Sequence, residues 1–159
     1  MDRRTFVTTV ALGALAVGIS KEAFAAEEYY PSKVDRGLFE TINRVKIPGN
    51  KSPLEMSHVP AIIAPAKVKA GEPFVVEVSI GEKIHSMGPT HWIECIELNI
   101  GNEPAGRLDL QPKGYLSPKA IFTVVLTKDA APSGEVTLIV RQRCNLHGYW
   151  ESTHNMTVE

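Results

Sequence analysis

Four of the five histidines in this chain of 159 residues occur, together with one cysteine, at spacings typical of a metal site. Residues 85–91 read His-Ser-Met-Gly-Pro-Thr-His, and residues 144–147 read Cys-Asn-Leu-His. A Cys-x2-His pair lets both side chains bind one ion from a single turn. The candidate ligands are His58, His85, His91, Cys144 and His147.

The chemistry of these side chains indicates the kind of metal. Imidazole nitrogens and a thiolate suit a borderline transition metal such as iron, copper or zinc. Five ligands are more than a tetrahedral structural zinc needs. They leave one octahedral position open, where a small molecule can react. His154 lies outside the pattern and is interpreted as an ordinary surface or strand histidine.

The N-terminus has the organisation of an export signal. Arg3-Arg4 precedes an apolar stretch over residues 7–19, and Ala23-Phe24-Ala25 has the form of a signal-peptidase site. Paired arginines resemble the twin-arginine signal, with an ordinary secretory signal as the alternative. Residues 1–25 are therefore predicted to be removed, which leaves a periplasmic or otherwise exported protein with no membrane segment.

The two cysteines allow competing interpretations. In an exported chain Cys95 and Cys144 could form a disulfide. Cys95, however, lies in an alternating run typical of a strand, whereas Cys144 has a loop-like context. A buried thiol at Cys95 and a metal thiolate at Cys144 is the simpler interpretation. A Cys144–His147 nucleophile–base pair is weaker, because it leaves three histidines unexplained.

The elements that position these residues are predicted to be strands. Alternating or β-branched runs occur at residues 59–63, 73–80, 91–100, 120–127, 135–141 and 153–158. Turns rich in proline and glycine separate them, which favours an all-β sandwich. Residues 26–57 are predicted to be an arm that lies over the domain or against a neighbouring subunit, with disorder as the alternative. A short helix is expected within residues 38–43.

Composition excludes some classes of partner. The formal net charge is −1, so neither nucleic acid nor an anionic membrane surface is implied. Hydrophobic residues make up 43% and charged residues 22% of the chain, as in an ordinary globular protein of about one domain.

Three stretches resemble the iron centre of superoxide reductases, the neelaredoxin and desulfoferrodoxin group. They are His58-Val59-Pro60, His85-x5-His91-Trp92-Ile93-Glu94, and the highly specific Cys-Asn-Leu-His-Gly-Tyr-Trp at residues 144–150. The resemblance covers roughly residues 36–159. With two cysteines in the whole chain, there is no four-cysteine rubredoxin-like site, so the match is to the one-iron form.

The resemblance implies a seven-stranded, immunoglobulin-like β-sandwich over residues 58–159. It also implies one non-haem iron per chain, cycling between Fe2+ and Fe3+, which reduces superoxide to hydrogen peroxide. The implied equatorial ligands are the four histidines and the axial ligand is Cys144. Glu55 matches a glutamate that can occupy the sixth position in the ferric state. An unidentified electron donor and a homo-oligomer, tetramer or dimer, are the implied partners.

Two departures from the family pattern leave alternatives open. Met56 stands where family members usually have a lysine, and Ile84 precedes His85 where a proline is often adjacent. Lys51 or Lys83 could replace that lysine, and Arg141 and Arg143 could add positive potential or be solvated surface charges. One alternative is an iron–thiolate protein for electron transfer or for binding nitric oxide or peroxide. Another is a metal-free β-sandwich binding module, or one that delivers copper or zinc.

Overall fold

The described part of the chain, residues 36–159 of a computed structural model, consists mainly of strands in two sheets. It also contains two short helices, α1 (Arg36–Phe39) and α2 (Pro53–His58), and a 3-10 helix at Lys128–Ala130. The eight strands within this part are β1 (Pro60–Ile63), β2 (Lys67–Val68), β3 (Pro73–Ile80), β4 (Ile93–Ile100), β5 (Glu103–Asp109), β6 (Lys119–Val125), β7 (Glu135–Cys144) and β8 (Gly148–Val158).

The two sheets confirm the expected all-β sandwich. One has the order β1-β3-β6 and the other has the order β2-β8-β7-β4-β5. Neighbouring strands are antiparallel except β2, which pairs in parallel with the end of β8. Within residues 36–159 the strands number eight rather than seven, because the two-residue β2 pairs with Thr157 and Val158.

Alternating side chains build the core between the sheets. On β3, Phe74, Val76, Val78 and Ile80 are buried, as the sequence predicts, whereas Val75 is exposed. They pack in one cluster with apolar residues of β4 and β7. Each fully buried aliphatic side chain contributes roughly 1.5–3 kcal/mol, so this core holds the strand ends in fixed positions.

The predicted and observed strands differ in several places: β8 begins at Gly148 rather than at residue 153, β2 was not predicted, and β7 and β5 differ as follows. Strand β7 continues to Cys144, so this cysteine is the last residue of a strand rather than part of a loop. Strand β5 was not expected, because Gly101-Asn102-Glu103-Pro104 has the composition of a turn. It is an edge strand with mostly exposed residues, and an edge strand tolerates a proline.

The described part of the arm lies on the large sheet. The amide of Asn43 donates to the carbonyl of Tyr149, and the amide of Glu151 donates to the carbonyl of Asn43, both at 2.9 Å. Helix α1 begins and ends earlier than the predicted stretch. The predicted signal at residues 1–25 lies outside the described residues. Within residues 36–159, the helices are too short to cross a bilayer.

Candidate metal centre

The five candidate ligands come from three segments that meet at one end of the sandwich. His58 is the last residue of α2, and His85 and His91 belong to the connection between β3 and β4. Cys144 ends β7, and His147 lies in the turn to β8. Strand β7 pairs with both β4 and β8, so the large sheet itself brings the segment that follows His91 next to Cys144 and His147.

The four imidazole rings form a closed square. Going round it, ring centroids are separated by 4.6 Å from His58 to His85 and by 4.5 Å from His85 to His91. The next two separations are 4.8 Å from His91 to His147 and 4.7 Å from His147 to His58. Adjacent rings are inclined by 75° to 86°, and His58 faces His91 across the square at 6.0 Å.

The distances between donor atoms fit a single ion. His58 Nε2 lies 3.0 Å from His147 Nδ1, and His85 Nε2 lies 3.1 Å from His91 Nε2. Cys144 Sγ lies 3.1 Å from His91 Nε2 and 3.5 Å from His147 Nδ1. Two nitrogens bound at about 2.1 Å and at right angles are about 3.0 Å apart, so these contacts match neighbouring ligands of one metal.

Backbone carbonyls orient two of the rings. His58 Nδ1 donates to the carbonyl of Leu54 at 2.8 Å, and His85 Nδ1 donates to the carbonyl of Ser86 at 2.6 Å. Because Nδ1 carries the hydrogen in each ring, the lone pair of Nε2 is directed into the square. The rings are therefore held in the tautomer that binds a metal.

Burial also sets the protonation of the donors. It lowers the pKa of His58 to about 4 and that of His85 to about 3, and it lowers the pKa of His91. It raises the pKa of the Cys144 thiol to about 11, although backbone amides of Leu146 and His147 favour the thiolate. Neutral imidazoles and a thiol that gives up its proton when a metal cation binds fit a transition metal. No carboxylate belongs to the donor set found within the described residues.

Asn145 connects the cysteine turn to the segment that carries His91. Its Oδ1 accepts from the amide of Trp92, and its Nδ2 donates to the carbonyl of Thr90, both at 2.9 Å. Its own amide donates to the carbonyl of Trp92 at 3.2 Å. Sequence reasoning did not assign this role. The asparagine within the Cys-Asn-Leu-His stretch was the available signal.

Further contacts support the square from the side of β8. The indole of Trp150 packs on the His58 ring at 5.3 Å, and its Nε1 donates to the carbonyl of His147 at 2.9 Å. Gly148 has a φ of +69°, and a Cβ there would lie 2.3 Å from the carbonyl oxygen of Leu38. The turn after His147 therefore requires a glycine to pack against α1.

In this structure the Glu55 carboxylate caps α2 and does not contact the histidines, and the expectation that it can cover the sixth position in the ferric state stays a prediction. Its two carboxylate oxygens accept from the backbone amides of Lys46 and Ser52, each at 2.7 Å. The Ser52 hydroxyl accepts from the amide of Glu55, which completes a capping box at the start of α2. These amide hydrogen bonds lower the pKa of Glu55.

The other candidates are placed as follows. Cys95 and Cys144 are both free, so the disulfide alternative is wrong. His154 lies on β8, away from the square, as expected, and its Nε2 contacts the carbonyl of Pro65. Arg143 is paired with Glu94, and Arg141 shares the carboxylate of Glu151 with Arg44.

One face of the square opens into a cavity of about 560 Å³. His58, His85 and His91 line it, whereas Cys144, which is fully buried, does not. Its wall is otherwise formed by residues of α2 and of the connection after β3, namely Pro53, Met56, Ser57, Lys83, Ile84 and Ser86. A small molecule thus reaches the histidines from the side that the thiol does not occupy.

Comparison with known proteins agrees with this geometry. The family model described as desulfoferrodoxin matches residues 50–153, which include all five candidate ligands. This chain belongs to the desulfoferrodoxin family. A relative from Methanocaldococcus jannaschii, described as "Putative superoxide reductase", is 34% identical over 121 residues, covering 74% of this chain and 95% of the relative.

Solved structures of the desulfoferrodoxin family have the same fold. The superoxide reductase (neelaredoxin) of Ignicoccus hospitalis is 34% identical, with a TM-score of 0.63 over 80% of this chain and 100% of that one. A crystal structure from Thermotoga maritima, described as that of a "putative superoxide reductase", is 27% identical, with a TM-score of 0.62 over 76% of this chain and 96% of that one.

Proposed function

We propose that this member of the desulfoferrodoxin family is a superoxide reductase with one iron per chain. The observation that carries the proposal is the square of four imidazoles, with Cys144 buried on one face and a cavity open on the other. The names of the relatives in Methanocaldococcus jannaschii and Ignicoccus hospitalis support it. We further propose export to the periplasm, a homo-oligomeric state (tetramer or dimer) and a separate electron donor that restores the ferrous form.

In this proposal His58, His85, His91, His147 and Cys144 hold the iron. Ferrous iron supplies the single electron which, with two protons, converts superoxide into hydrogen peroxide. The neutral imidazoles add no charge, and the Cys144 thiolate cancels one of the two positive charges. The site therefore keeps a net positive charge that attracts a small anion.

The protein contributes the surroundings of the reaction. Backbone amides of Leu146 and His147 donate to the Cys144 sulfur and so stabilise its thiolate inside the apolar core. The cavity admits a diatomic anion beside His58, His85 and His91. Since no carboxylic acid is among the described residues that line the cavity, water is the proposed source of both protons.

The test begins with the protein as matured in its native host. Metal analysis is expected to find about one iron per chain, and pulse radiolysis is expected to detect rapid oxidation of the ferrous centre by superoxide. His91→Ala should lose iron and reactivity, while the matched change His154→Ala, outside the square, should retain both.

Other results would overturn the proposal. Zinc or no metal in natively matured protein would point to a metal carrier or a metal-free binding module. Bound iron that superoxide does not oxidise rapidly would point instead to an iron–thiolate protein for electron transfer or for binding nitric oxide or peroxide.

A further inference from the structure

Met56 is the exposed methionine of residues 36–159. It is 39% exposed, whereas Met156 lies in the core with 3% exposure. Met87 is partly buried against the core, and its sulfur accepts from the amide of Ile93 at 3.4 Å. A thioether is oxidised readily where an oxidant in solution can reach the sulfur. Of the three thioethers in this part of the chain, that of Met56 is therefore the one open to solvent.

The backbone fixes the position of Met56 on the open face. Its amide donates to the carbonyl of Ser52 at 2.9 Å, and its carbonyl accepts from the amide of Lys83 at 3.1 Å. It lines the cavity of about 560 Å³ together with three histidines of the square. Because Cys144 is fully buried on the other face, a molecule released at the square leaves through this cavity and passes Met56.

The two cysteine thiols are poorer targets for a peroxide than Met56. Cys95 is 1% exposed, and burial raises the pKa of its thiol. Peroxides react with a thiolate rather than with a thiol, so burial protects Cys95. Cys144 is fully buried on the closed face. A thioether needs no deprotonation, so Met56 is reactive at neutral pH.

Hydrogen peroxide oxidises a thioether without a further reactant. A lone pair of the sulfur attacks one peroxide oxygen, and an S–O bond forms as the O–O bond breaks. The second oxygen leaves as water, which carries both hydrogens. The sulfur loses two electrons and the peroxide gains them, so methionine sulfoxide and water balance the reactants.

We propose that Met56 is a site of oxidation by hydrogen peroxide and that its sulfoxide hinders the entry of anions into the cavity. The inference rests on the proposed function for the source of the peroxide. Oxidation replaces an apolar group, beside Pro53 and Ile84 on the cavity wall, with a polar one whose oxygen carries a partial negative charge. This charge opposes the approach of a small anion, so accumulated product slows further reaction.

The first experiment locates the modification. The iron-loaded ferric protein is treated with hydrogen peroxide, and its peptides are analysed by mass spectrometry at successive times. One oxygen atom is expected to be added at Met56 about tenfold faster than at Met87 or Met156, because those two are shielded. Equal rates at the three methionines, or faster oxidation of a shielded one, would overturn the assignment.

The second experiment measures the effect of the sulfoxide on the open face. Azide is titrated into the ferric protein before and after peroxide treatment, and binding is followed by visible absorption. Oxidation is expected to weaken azide binding by about threefold. Methionine sulfoxide reductases for both epimers should restore the original affinity. Met56→Leu nearly conserves the side-chain volume, and its azide affinity should be the same before and after peroxide.

A matched control moves the reactive methionine away from the cavity. The double variant M56L/V125M carries its exposed methionine on β6, where Val125 is 53% exposed. Val125 pairs with Pro73, at the opposite end of β3 from the segment that lines the cavity. Peroxide should oxidise the introduced methionine without changing the azide affinity. An equal loss of affinity in this variant, or an unchanged affinity in wild type oxidised at Met56, overturns the inference.

Peroxide and azide keep this test separate from the proposed function, because neither measurement depends on superoxide. If the ferrous protein fails to react with superoxide, the proposed function falls. The oxidation rate of Met56 and the azide affinity of its sulfoxide then still decide whether Met56 controls access to the open face.

Discussion

The two faces of the histidine square differ in how they are built. The closed face consists of Cys144, the turn from β7 to β8 and the start of β8. Asn145 in the turn and Trp150 in β8 form hydrogen bonds with backbone groups of the ligand segments. The open face is the cavity rim, formed by exposed side chains of Met56, Lys83 and Ile84. Hydrogen bonds and core packing fix the first, whereas solvent surrounds much of the second.

Because of this difference, substitutions on the two faces are expected to have different effects. Substitutions on the closed face should alter the metal itself, namely its affinity and its spectrum, because they change ligands or the groups that orient them. Substitutions on the open face should alter the approach of anions, because they change charge and access without touching a ligand. This distinction would be contradicted by a substitution on the open face that altered metal affinity, or by one on the closed face that altered only the approach of anions.

The largest effect is expected from Cys144→Ser. A serine hydroxyl stays protonated near neutral pH and is a poor substitute for a thiolate, so the thiolate-to-iron charge-transfer band should disappear from the visible spectrum. Cys95→Ser is the matched control, since Cys95 is the other buried free cysteine and lies in strand β4. Persistence of the band in Cys144→Ser, or its loss in Cys95→Ser, would contradict the assignment.

Metal affinity should depend steeply on pH because of the closed face. The pKa of the Cys144 thiol is raised to about 11, so metal binding at pH 7–9 must displace one proton. The apparent affinity should therefore rise about tenfold per pH unit between pH 7 and 9, since a raised pKa keeps the thiol protonated throughout this range. Competition with a calibrated chelator measures the slope. In Cys144→Ser the slope should be close to zero.

A smaller effect is expected from Asn145→Ala. Removing its side chain frees the carbonyl of Thr90 and the amide of Trp92, which hold His91 against the cysteine turn. Loss of such an orienting partner typically lowers metal affinity by about 10- to 100-fold. Asn155→Ala is the control, because Asn155 bonds Thr137 on the exposed surface of the same sheet. Equal affinities in the two variants would show that the hydrogen bonds of the Asn145 side chain are dispensable for metal binding.

The smallest effects concern α2, which carries His58 at its end. Ser52→Ala removes the N-cap and should destabilise the protein by about 1 kcal/mol, measured by denaturant unfolding. The metal spectrum should be unchanged, because the cap lies outside the cavity lining.

Glu55→Gln tests the capping box of α2 through the pH dependence of stability. The folded-state pKa of Glu55 is lowered, so its contribution to stability is present above the unfolded value of 4.5 and is lost as the pH falls through the folded value. Glu55→Gln should weaken this acid dependence without shifting the ferric absorption band. A shifted band would instead show that the carboxylate leaves the capping box to reach the metal.

The sequence predicted the fold and the ligands better than it predicted their surroundings. Strand β3 was predicted with its observed limits, because its alternation is uninterrupted and one face is buried. Strand β5 was missed, because an edge strand buries few side chains and leaves little alternation to read. For Glu55 the resemblance implied only that it can cover the sixth position in the ferric state, which stays a prediction; its position three residues after Ser52 also fits the capping box that the structure shows.

The sequence by itself therefore determined the donor set and its chemistry. The side chains of His58, His85, His91, Cys144 and His147 carry their affinity for a transition metal wherever the chain places them. Only the tertiary structure decided which face of the square is closed and which is open. That choice depends on contacts between distant segments, such as Asn145 with Thr90 and Lys83 with Met56, which no local pattern encodes.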